Sequence, residues 1–499
     1  MNRSSRKDNF FSRDQLKVEL KKRSVHSALN KMITSGASII ITLASAMILA
    51  RLLAPEVFGI FAMVYSFTEI ARYLMEVGIG TAIVQKEDIT HEEVSALFWI
   101  NCFIGLVLAL AVAAASPAIA WFYDDSSLIK LCLALSLTFF FRGILVEHRA
   151  LLERQMHFGY LGIINISSNF LSFAVAVIFA WIGFGVWSLV WRELVYVFLY
   201  AAGTWIFCRW IPSLPNFSTN VISSLKFGFH LSGVSFIQYL TQNVDKILIG
   251  RFAGATPLGL YSKAQQLAMM PIVNIQMIFW DVGLSPLSTL QNDAERYKRF
   301  FGRMIAIQSF IYLPIIVFIA LESKNVIQLM LGDAWIEGAP ILRIFAVAGF
   351  VTPIIATLQL VMVSCGNTRR FLSWGIISGF LTITSYVIGI HWGAIGVAYA
   401  SASTSYILFL SSFAYCLINT PINASVVIKN ILPIAISCLG AGIILKAMLP
   451  EFSFSNIIFD TTASFFVFSL IYLVILFLIP TGRKQLTEFL SYRKEFFSR

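Results

Sequence analysis

The segment Leu49-Ala-Arg-Leu-Leu-Ala-Pro-Glu-Val-Phe-Gly-Ile-Phe61 has a counterpart 200 residues further along the chain, Ile249-Gly-Arg-Phe-Ala-Gly-Ala-Thr-Pro-Leu-Gly-Leu-Tyr261. Both copies contain an arginine, Arg51 or Arg251, followed at the same spacing by a glycine. Parallel repeats of this kind build membrane transporters in which two lobes move about a central substrate site. The repeat therefore predicts two lobes of six helices each.

Apolar residues dominate the rest of the chain. Of its 499 residues, 58% are hydrophobic and 13% are charged, whereas soluble domains have about 45–50% apolar and about 25% charged residues. Apolar stretches long enough to span a bilayer recur throughout, and we count about 14 of them. The predicted fold class is an all-α membrane protein of about 14 transmembrane helices, with two repeat-related six-helix lobes and two extra C-terminal helices.

The repeat and the apolar stretches together predict six parts. These are a cytoplasmic amphipathic N-terminal segment (1–26), an N-lobe (27–210), a linker (211–225), a C-lobe (226–420), the two extra spans (421–482) and a cytoplasmic tail (483–499). The N-terminal segment mixes apolar side chains with Lys and Arg, a pattern typical of helices that lie on anionic membrane surfaces. It anchors the topology or, alternatively, docks a partner.

Positive charges cluster at the two ends of the chain. Nine Lys and Arg lie between Arg3 and Lys31, and five follow the last span. Lys and Arg accumulate on the cytoplasmic side of membrane proteins, so the net charge of +11 reflects topology rather than nucleic-acid binding. Predicted loops around Arg149 and Arg154 fall on the same side. Both termini are therefore predicted to be cytoplasmic.

Sequence signatures of catalysis are absent. The chain contains no Gly-x-x-x-x-Gly-Lys-Ser/Thr loop for nucleotide hydrolysis. Its six cysteines and six histidines show no spacing typical of disulfides or of metal-ligand sets. The predicted loops are too short to hold a sugar donor. We expect a transporter without catalytic residues, metal or other cofactor.

Four motifs of the N-lobe resemble one transporter family. Arg51-Leu-Leu-Ala-Pro-Glu-Val-Phe-Gly-Ile-Phe61 and Val77-Gly-Ile-Gly-Thr-Ala-Ile-Val-Gln85 resemble the opening of bacterial polysaccharide flippases of the multidrug/oligosaccharidyl-lipid/polysaccharide superfamily. Glu147-His-Arg-Ala-Leu-Leu-Glu-Arg-Gln-Met-His-Phe158 and Gly183-Phe-Gly-Val-Trp-Ser-Leu-Val190 are similar to its colanic-acid-exporter branch. The likeness is strong over residues 27–210 and weaker beyond.

This resemblance implies a function. Such proteins flip undecaprenyl-pyrophosphate-linked oligosaccharides, the precursors of surface polysaccharide, lipopolysaccharide or exopolysaccharide, from the cytoplasmic to the periplasmic leaflet. It implies alternating access around a cationic cavity in the bacterial cytoplasmic (inner) membrane. The expected partners are the lipid-linked oligosaccharide, membrane lipids, and the polysaccharide polymerase and glycosyltransferases. Coupling to H⁺ or Na⁺ stays open.

Charged side chains inside the predicted spans are the candidate site residues. A charge at the bilayer centre costs about 2.5–3.5 kcal/mol, so such residues usually face a cavity or a partner. A pyrophosphate in a low-dielectric cavity needs fixed cations, and arginine offers paired donors to it. The candidate substrate-binding cations are Arg72, Arg142, Arg192, Lys246 and Lys263. For Arg142 a snorkelling role, and for Arg192 a local ion pair, are the alternatives.

A second set of polar residues in the spans is assigned to gating or ion coupling. Its members are Glu69, Glu76, Glu193, Gln242 and Asp245. Glu69 and Glu76 share one helical face with Arg72, which indicates a gate or a self-neutralising structural triad. Asp245 carries a coupling proton or forms a salt bridge with a nearby lysine.

Two other functions fit the same composition. An ion-coupled exporter of small organic cations would present mainly carboxylates and aromatic rings to its cavity. A non-transporting scaffold that recruits biosynthetic enzymes would tolerate the loss of every intramembrane charge. The number of cations in the spans favours the anionic lipid-linked sugar.

Overall fold

A computed structural model describes most of the chain, namely residues 34, 36–76, 79–86, 89–215, 241–448 and 457–497. Regular structure in these ranges is helical throughout, which confirms the all-α class. Within them, nine helical segments are long and apolar enough to cross a membrane. The count of 14 stays a prediction. The predicted N-terminal segment and most of the linker 211–225 lie outside the described residues.

The chain forms two compact units, Met1–Gly259 and Leu260–Arg499. The first contains eight described helices: α1 (Gly36–Leu52), α2 (Pro55–Glu76), α3 (Ile79–Gln85), α4 (His91–Tyr123), α5 (Leu128–Arg154), α6 (Phe158–Trp181), α7 (Val186–Cys208) and α8 (residues 241–253). Helix α9 (Ala255–Thr289) begins in the first unit and continues into the second. The lobe boundaries derived from the repeat stay a prediction.

The second unit continues with a further run of helices. They are α10 (Ala294–Leu321), α11 (Ser323–Met330), α12 (Ala339–Gly349), α13 (Thr352–Ser364), α14 (Thr368–Gly389), α15 (Gly393–Cys416), α16 (Ala424–Met448), α17 (Ile457–Leu478) and α18 (Pro480–Phe497). Pro353 lies in the first turn of α13, where its missing N–H costs no helical hydrogen bond. Helix α10 packs on α16, and α16 packs on α17.

Local sequence explains where the long helix α4 begins and ends. The Thr90 hydroxyl accepts a hydrogen bond from the Glu93 backbone N–H at 3.2 Å, an N-cap that satisfies one donor of the first turn. Asp124 ends the helix in the left-handed conformation, with φ of 56°. Its carboxylate accepts a hydrogen bond from Arg251. Arg251, the arginine of the second repeat segment, thus binds the side chain of the residue that ends α4.

Helix α5 is longer than the sequence analysis predicted. The segment around Arg149 and Arg154 was predicted to be a loop, but it forms the last two turns of α5. Arg154 is buried there and donates to the Ile83 carbonyl at 2.9 Å. The physical reason is that Leu151 and Leu152 pack into a core with α3 and α4, and burial of their apolar surface outweighs the local charge.

The two repeat segments contact each other reciprocally within the first unit. A Cβ atom added at Gly59 would overlap the carbonyl of Ala255, and one added at Gly259 would overlap the carbonyl of Pro55. These two contacts are related by the same 200-residue offset that aligns the sequences. Only glycine permits so close an approach of two backbones. The paired glycines therefore have a packing role that explains their place in both copies.

Candidate functional site

Two charged residues on one face of α2 form an ion pair. Arg72 donates through Nε to Oε2 of Glu69 at 2.6 Å. Both side chains are largely buried, with 25% and 9% exposed. Their i, i+3 spacing puts them on neighbouring positions of the helix surface, as the sequence predicted. Glu76, the third member of the predicted triad, has a side chain outside the described set.

A second ion pair joins α5 to α7. Arg142 donates through Nη2 to Oε1 of Glu193 at 2.8 Å, and the two side chains are 12% and 20% exposed. Because α5 continues to Arg154, Arg142 lies well inside its helix instead of near the end. The guanidinium therefore lies next to a partly buried carboxylate on a neighbouring helix.

The two ion pairs line one small pocket, which we call the charged cluster: Glu69, Arg72, Arg142 and Glu193. Uncharged residues from α2 and α5 complete its lining: Tyr65, Thr68, Leu135, Thr138 and Phe139. Two cations and two carboxylates compensate each other, so the cluster is not a net cationic cavity. Its arginines can bind an anion by exchanging their carboxylate partners for it, since guanidinium groups bind phosphate and carboxylate oxygens with the same donors.

Other predicted cations lie elsewhere. Arg192 precedes Glu193 on α7, and no hydrogen bond or ion pair to it is present among the described residues. Lys246 on α8 donates to Oδ1 of Asn243 at 2.9 Å. Lys263 belongs to the second unit and donates to Gln266 at 3.1 Å.

The two gating or ion-coupling candidates on α8, Gln242 and Asp245, differ in burial. Asp245 is buried, and one of its oxygens accepts a hydrogen bond from the Lys246 backbone N–H at 2.8 Å. Gln242 is exposed. The roles assigned to both residues stay predictions.

An uncharged polar group in the first unit was missed by the sequence analysis. Asn165 on α6 donates through Nδ2 to the Ser38 hydroxyl of α1 at 3.1 Å, and its Oδ1 accepts from the Tyr196 hydroxyl of α7 at 3.1 Å. Asn169 donates to the same Oδ1 at 2.9 Å. We call Ser38, Asn165, Asn169 and Tyr196 the amide group. Two asparagines one turn apart in an apolar helix were a usable signal.

The sequence pattern of a family described as polysaccharide biosynthesis protein matches residues 48–340. The chain belongs to this family. The match covers both repeat segments and the charged cluster, and it confirms the resemblance inferred from the N-lobe motifs.

Two named relatives are similar to the chain over most of its length. It is 25% identical to the lipopolysaccharide biosynthesis protein WzxC of Escherichia coli (strain K12), over 83% of each chain. It is 26% identical to the teichuronic acid biosynthesis protein TuaB of Bacillus subtilis (strain 168), over 69% of this chain and 72% of the relative.

Solved structures share the fold at low sequence identity. The lipid II flippase MurJ in an inward closed conformation matches with a TM-score of 0.75 and 16% identity, over 90% of this chain and 98% of MurJ. An inward-facing multidrug resistance MATE family transporter of the MOP superfamily matches with a TM-score of 0.61 and 14% identity, over 76% and 93%. These likenesses show that the chain shares the fold of these two transporters.

Proposed function

We propose that the chain is a flippase, and not an enzyme, that moves a polyprenyl-pyrophosphate-linked oligosaccharide across the bacterial cytoplasmic membrane by alternating access. The charged cluster carries the proposal. Arg72 and Arg142 are held in a low-dielectric part of the first unit, each on a carboxylate that a phosphate oxygen can replace. The names of the polysaccharide biosynthesis relatives support a cargo of this class.

Phosphate binding by exchange of partners differs from binding to a permanently cationic cavity. Two arginines without an anionic partner in apolar surroundings would strongly destabilise the folded protein, because desolvation of an uncompensated charge costs several kcal/mol. Glu69 and Glu193 remove that cost when cargo is absent. When the pyrophosphate arrives, Arg72 and Arg142 turn to it, and the two carboxylates are left to bind protons or small cations. This exchange gives one physical route to coupling with H⁺ or Na⁺.

The sugar needs a different surface. Sugar hydroxyls both donate and accept hydrogen bonds, so amides, hydroxyls and tyrosines suit them. The amide group supplies these types on three helices of the same unit as the charged cluster. We assign it to the oligosaccharide.

An apolar cavity of about 460 Å³ in the second unit suits the polyprenyl tail. Its walls come from α10, α12, α15 and α16, and include Ile316, Phe350, Phe409, Phe413, Ile428 and Leu432. Helix α16 is the first of the two extra C-terminal spans. An apolar chain gains free energy from leaving water for such a surface.

Narrowing this cavity should impair transport. Leu432 is half exposed at its wall, and Leu432→Trp would fill part of the space. We expect polymer production to fall by about fivefold or more, equivalent to roughly 1 kcal/mol of lost tail binding. The matched control is Ile444→Trp, at an exposed position on the opposite side of α16 and outside the cavity wall. Equal polymer levels in the two variants would contradict binding of the polyprenyl tail in this cavity.

The proposal includes an orientation in the membrane and two classes of partner enzyme. Both termini lie in the cytoplasm, where the Lys and Arg of the two ends meet the anionic leaflet. The glycosyltransferases that build the lipid-linked sugar supply the cargo, and a polymerase consumes it on the far side.

Genetic complementation tests the proposed function. The full chain is expressed in a host whose polysaccharide flippase has been deleted. We expect restored surface polymer and loss of the accumulated lipid-linked oligosaccharide. No polymer, with the protein present in the membrane and hosts of several sugar types tried, would contradict the proposal.

One observation favours a second candidate function, export of small organic cations. The charged cluster contains two carboxylates beside Tyr65 and Phe139, the residue types that bind organic cations. A chain that raises resistance to lipophilic cations without restoring polymer would be such an exporter. Restored polymer without altered resistance supports the flippase.

A further inference from the structure

The carboxylate of Glu147, in the first unit, is buried and forms no ion pair with any described residue. Glu147 on α5 and Asn101 on α4 are both 0% exposed, and Nδ2 of Asn101 donates a hydrogen bond to Oε1 of Glu147. The remaining oxygens, Oε2 of Glu147 and Oδ1 of Asn101, are buried and have no hydrogen-bond partner among the residues that the structure describes. Buried polar atoms are normally satisfied, so two adjacent acceptors without a donor call for a physical explanation.

The three arginines of α5 are engaged elsewhere. Arg142 pairs with Glu193, and Arg149 pairs with Glu153 on the exposed side of the helix. Arg154 donates to backbone carbonyls. Each of these arginines thus has an acceptor other than Glu147.

Titratable neighbours of Glu147 are few in the described part of the chain. Cys102 of α4 is close enough to interact with its charge, and His148 follows it on α5. Helix α3, which also packs on α5, contains no titratable residue.

Aromatic packing closes the site on the side of His148. The His148 ring stacks on Trp205 with centroids 4.2 Å apart, and its Nε2 lies 3.1 Å from the Trp210 carbonyl. Trp205 in turn donates to the Ile144 carbonyl at 2.8 Å. Glu147 is fully buried and therefore closed to bulk water in this conformation.

We propose that Glu147 and Asn101 form a proton-binding site. A proton on Oε2 turns an unsatisfied acceptor into a hydroxyl donor, and that donor can serve Oδ1 of Asn101. Acid and amide then form a ring of two hydrogen bonds, which satisfies both orphan oxygens at once. An ionised carboxylate would leave both unsatisfied and its charge uncompensated, which a low-dielectric interior strongly disfavours.

Release of this proton requires a conformational change. The carboxylic acid loses H⁺ to water and becomes a carboxylate, so water must reach Oε2, and this happens only if α4 and α5 separate around the pair. On the proposed flippase function, this links one proton per cycle to movement within the first unit. The site is distinct from the charged cluster, whose carboxylates already have cations.

Infrared spectroscopy of the purified full-length protein at neutral pH tests whether the proton is present. We expect the carbonyl band of a protonated carboxylic acid in wild type, its absence in Glu147→Gln, and a shift of the band in Asn101→Leu because the ring is broken. Glu153→Gln is the matched control, since Glu153 lies on the same helix in an exposed ion pair, and it should keep the band. A wild-type spectrum identical to that of Glu147→Gln overturns the proton site, including the case in which Na⁺ is bound instead.

Transport by the same variants tests whether the proton is exchanged. A glutamine at position 147 can form the same two hydrogen bonds to Asn101 as the protonated acid, but it cannot release a proton. We therefore expect at least tenfold less polymer from Glu147→Gln at wild-type membrane levels. Glu153→Gln should match wild type. Wild-type polymer from Glu147→Gln overturns the exchange of the proton. A wild type that shows the infrared band but fails to complement argues against the flippase function alone.

Discussion

Replacement of Arg142 by alanine is expected to lower polysaccharide export by at least about tenfold. The substitution removes a phosphate ligand and leaves the partly buried Glu193 carboxylate without its cation. Loss of one partner from a buried charge pair costs about 2–5 kcal/mol. Polymer yield and accumulated lipid-linked oligosaccharide are the two readouts, at matched membrane levels. Export should fall while the lipid-linked precursor rises.

The control for Arg142 lies on the same helix. Arg149 pairs with Glu153 at the same 2.8 Å, but Arg149 is 47% exposed against 12% for Arg142. Arg149→Ala should leave export within about twofold of wild type, as expected of a surface ion pair. Arg142→Ala combined with Glu193→Ala separates binding from stability: restored protein levels without restored export support a phosphate ligand. Restored export would make the pair purely structural.

Substitution of either repeat glycine should have an effect of similar size. Gly59→Val and Gly259→Val each place a branched side chain where a backbone carbonyl lies, and overpacking of this kind costs about 1–3 kcal/mol. Because the two contacts are reciprocal, we expect both variants to lose export by about tenfold. Export and thermal unfolding of the purified protein measure the effect.

Gly375 provides the glycine control. It lies in helix α14, and among the described residues no atom outside the helix's own backbone lies within 4 Å of a Cβ position there, so Gly375→Val should keep export near wild type. Unequal effects of Gly59→Val and Gly259→Val, with one variant fully active, would contradict the reciprocal packing of the two repeat segments.

The repeat was predictable because each of its copies needs a glycine at a close backbone contact. Gly59 and Gly259 therefore appear in the sequence at the same place in the two copies, 200 residues apart. The all-α membrane class was predictable for a similar reason, since the length and polarity of each helix are set by the bilayer. Neither inference required knowledge of how helices are rotated about their axes.

The charged cluster was only partly predictable. Glu69 and Arg72 are neighbours on one helix, so their pairing follows from spacing alone. Arg142 and Glu193 are 51 residues apart, and their contact depends on the rotation and register of α5 against α7, which no periodicity encodes. The number of Lys and Arg residues in the predicted spans suggested a cationic cavity. The structure instead places a carboxylate beside each arginine of the cluster.

The extension of α5 could have been read from the sequence. The residues from Glu147 to Arg154 are Glu, His, Arg, Ala, Leu, Leu, Glu and Arg, most of which favour helices. Their charges suggested a cytoplasmic loop, and a loop position would have placed Glu147 at the surface. Its complete burial emerges only from the packing of α4 on α5.

Reconstituted vesicles test the flippase account most directly. The purified chain is incorporated into vesicles that contain a polyprenyl-pyrophosphate-linked oligosaccharide in both leaflets, and a membrane-impermeant reagent labels the sugars accessible from outside. We predict that wild type makes the inner-leaflet pool available to the reagent, whereas Arg142→Ala and protein-free vesicles expose the outer-leaflet pool alone. An equal labelled fraction in wild-type and protein-free vesicles would contradict the account.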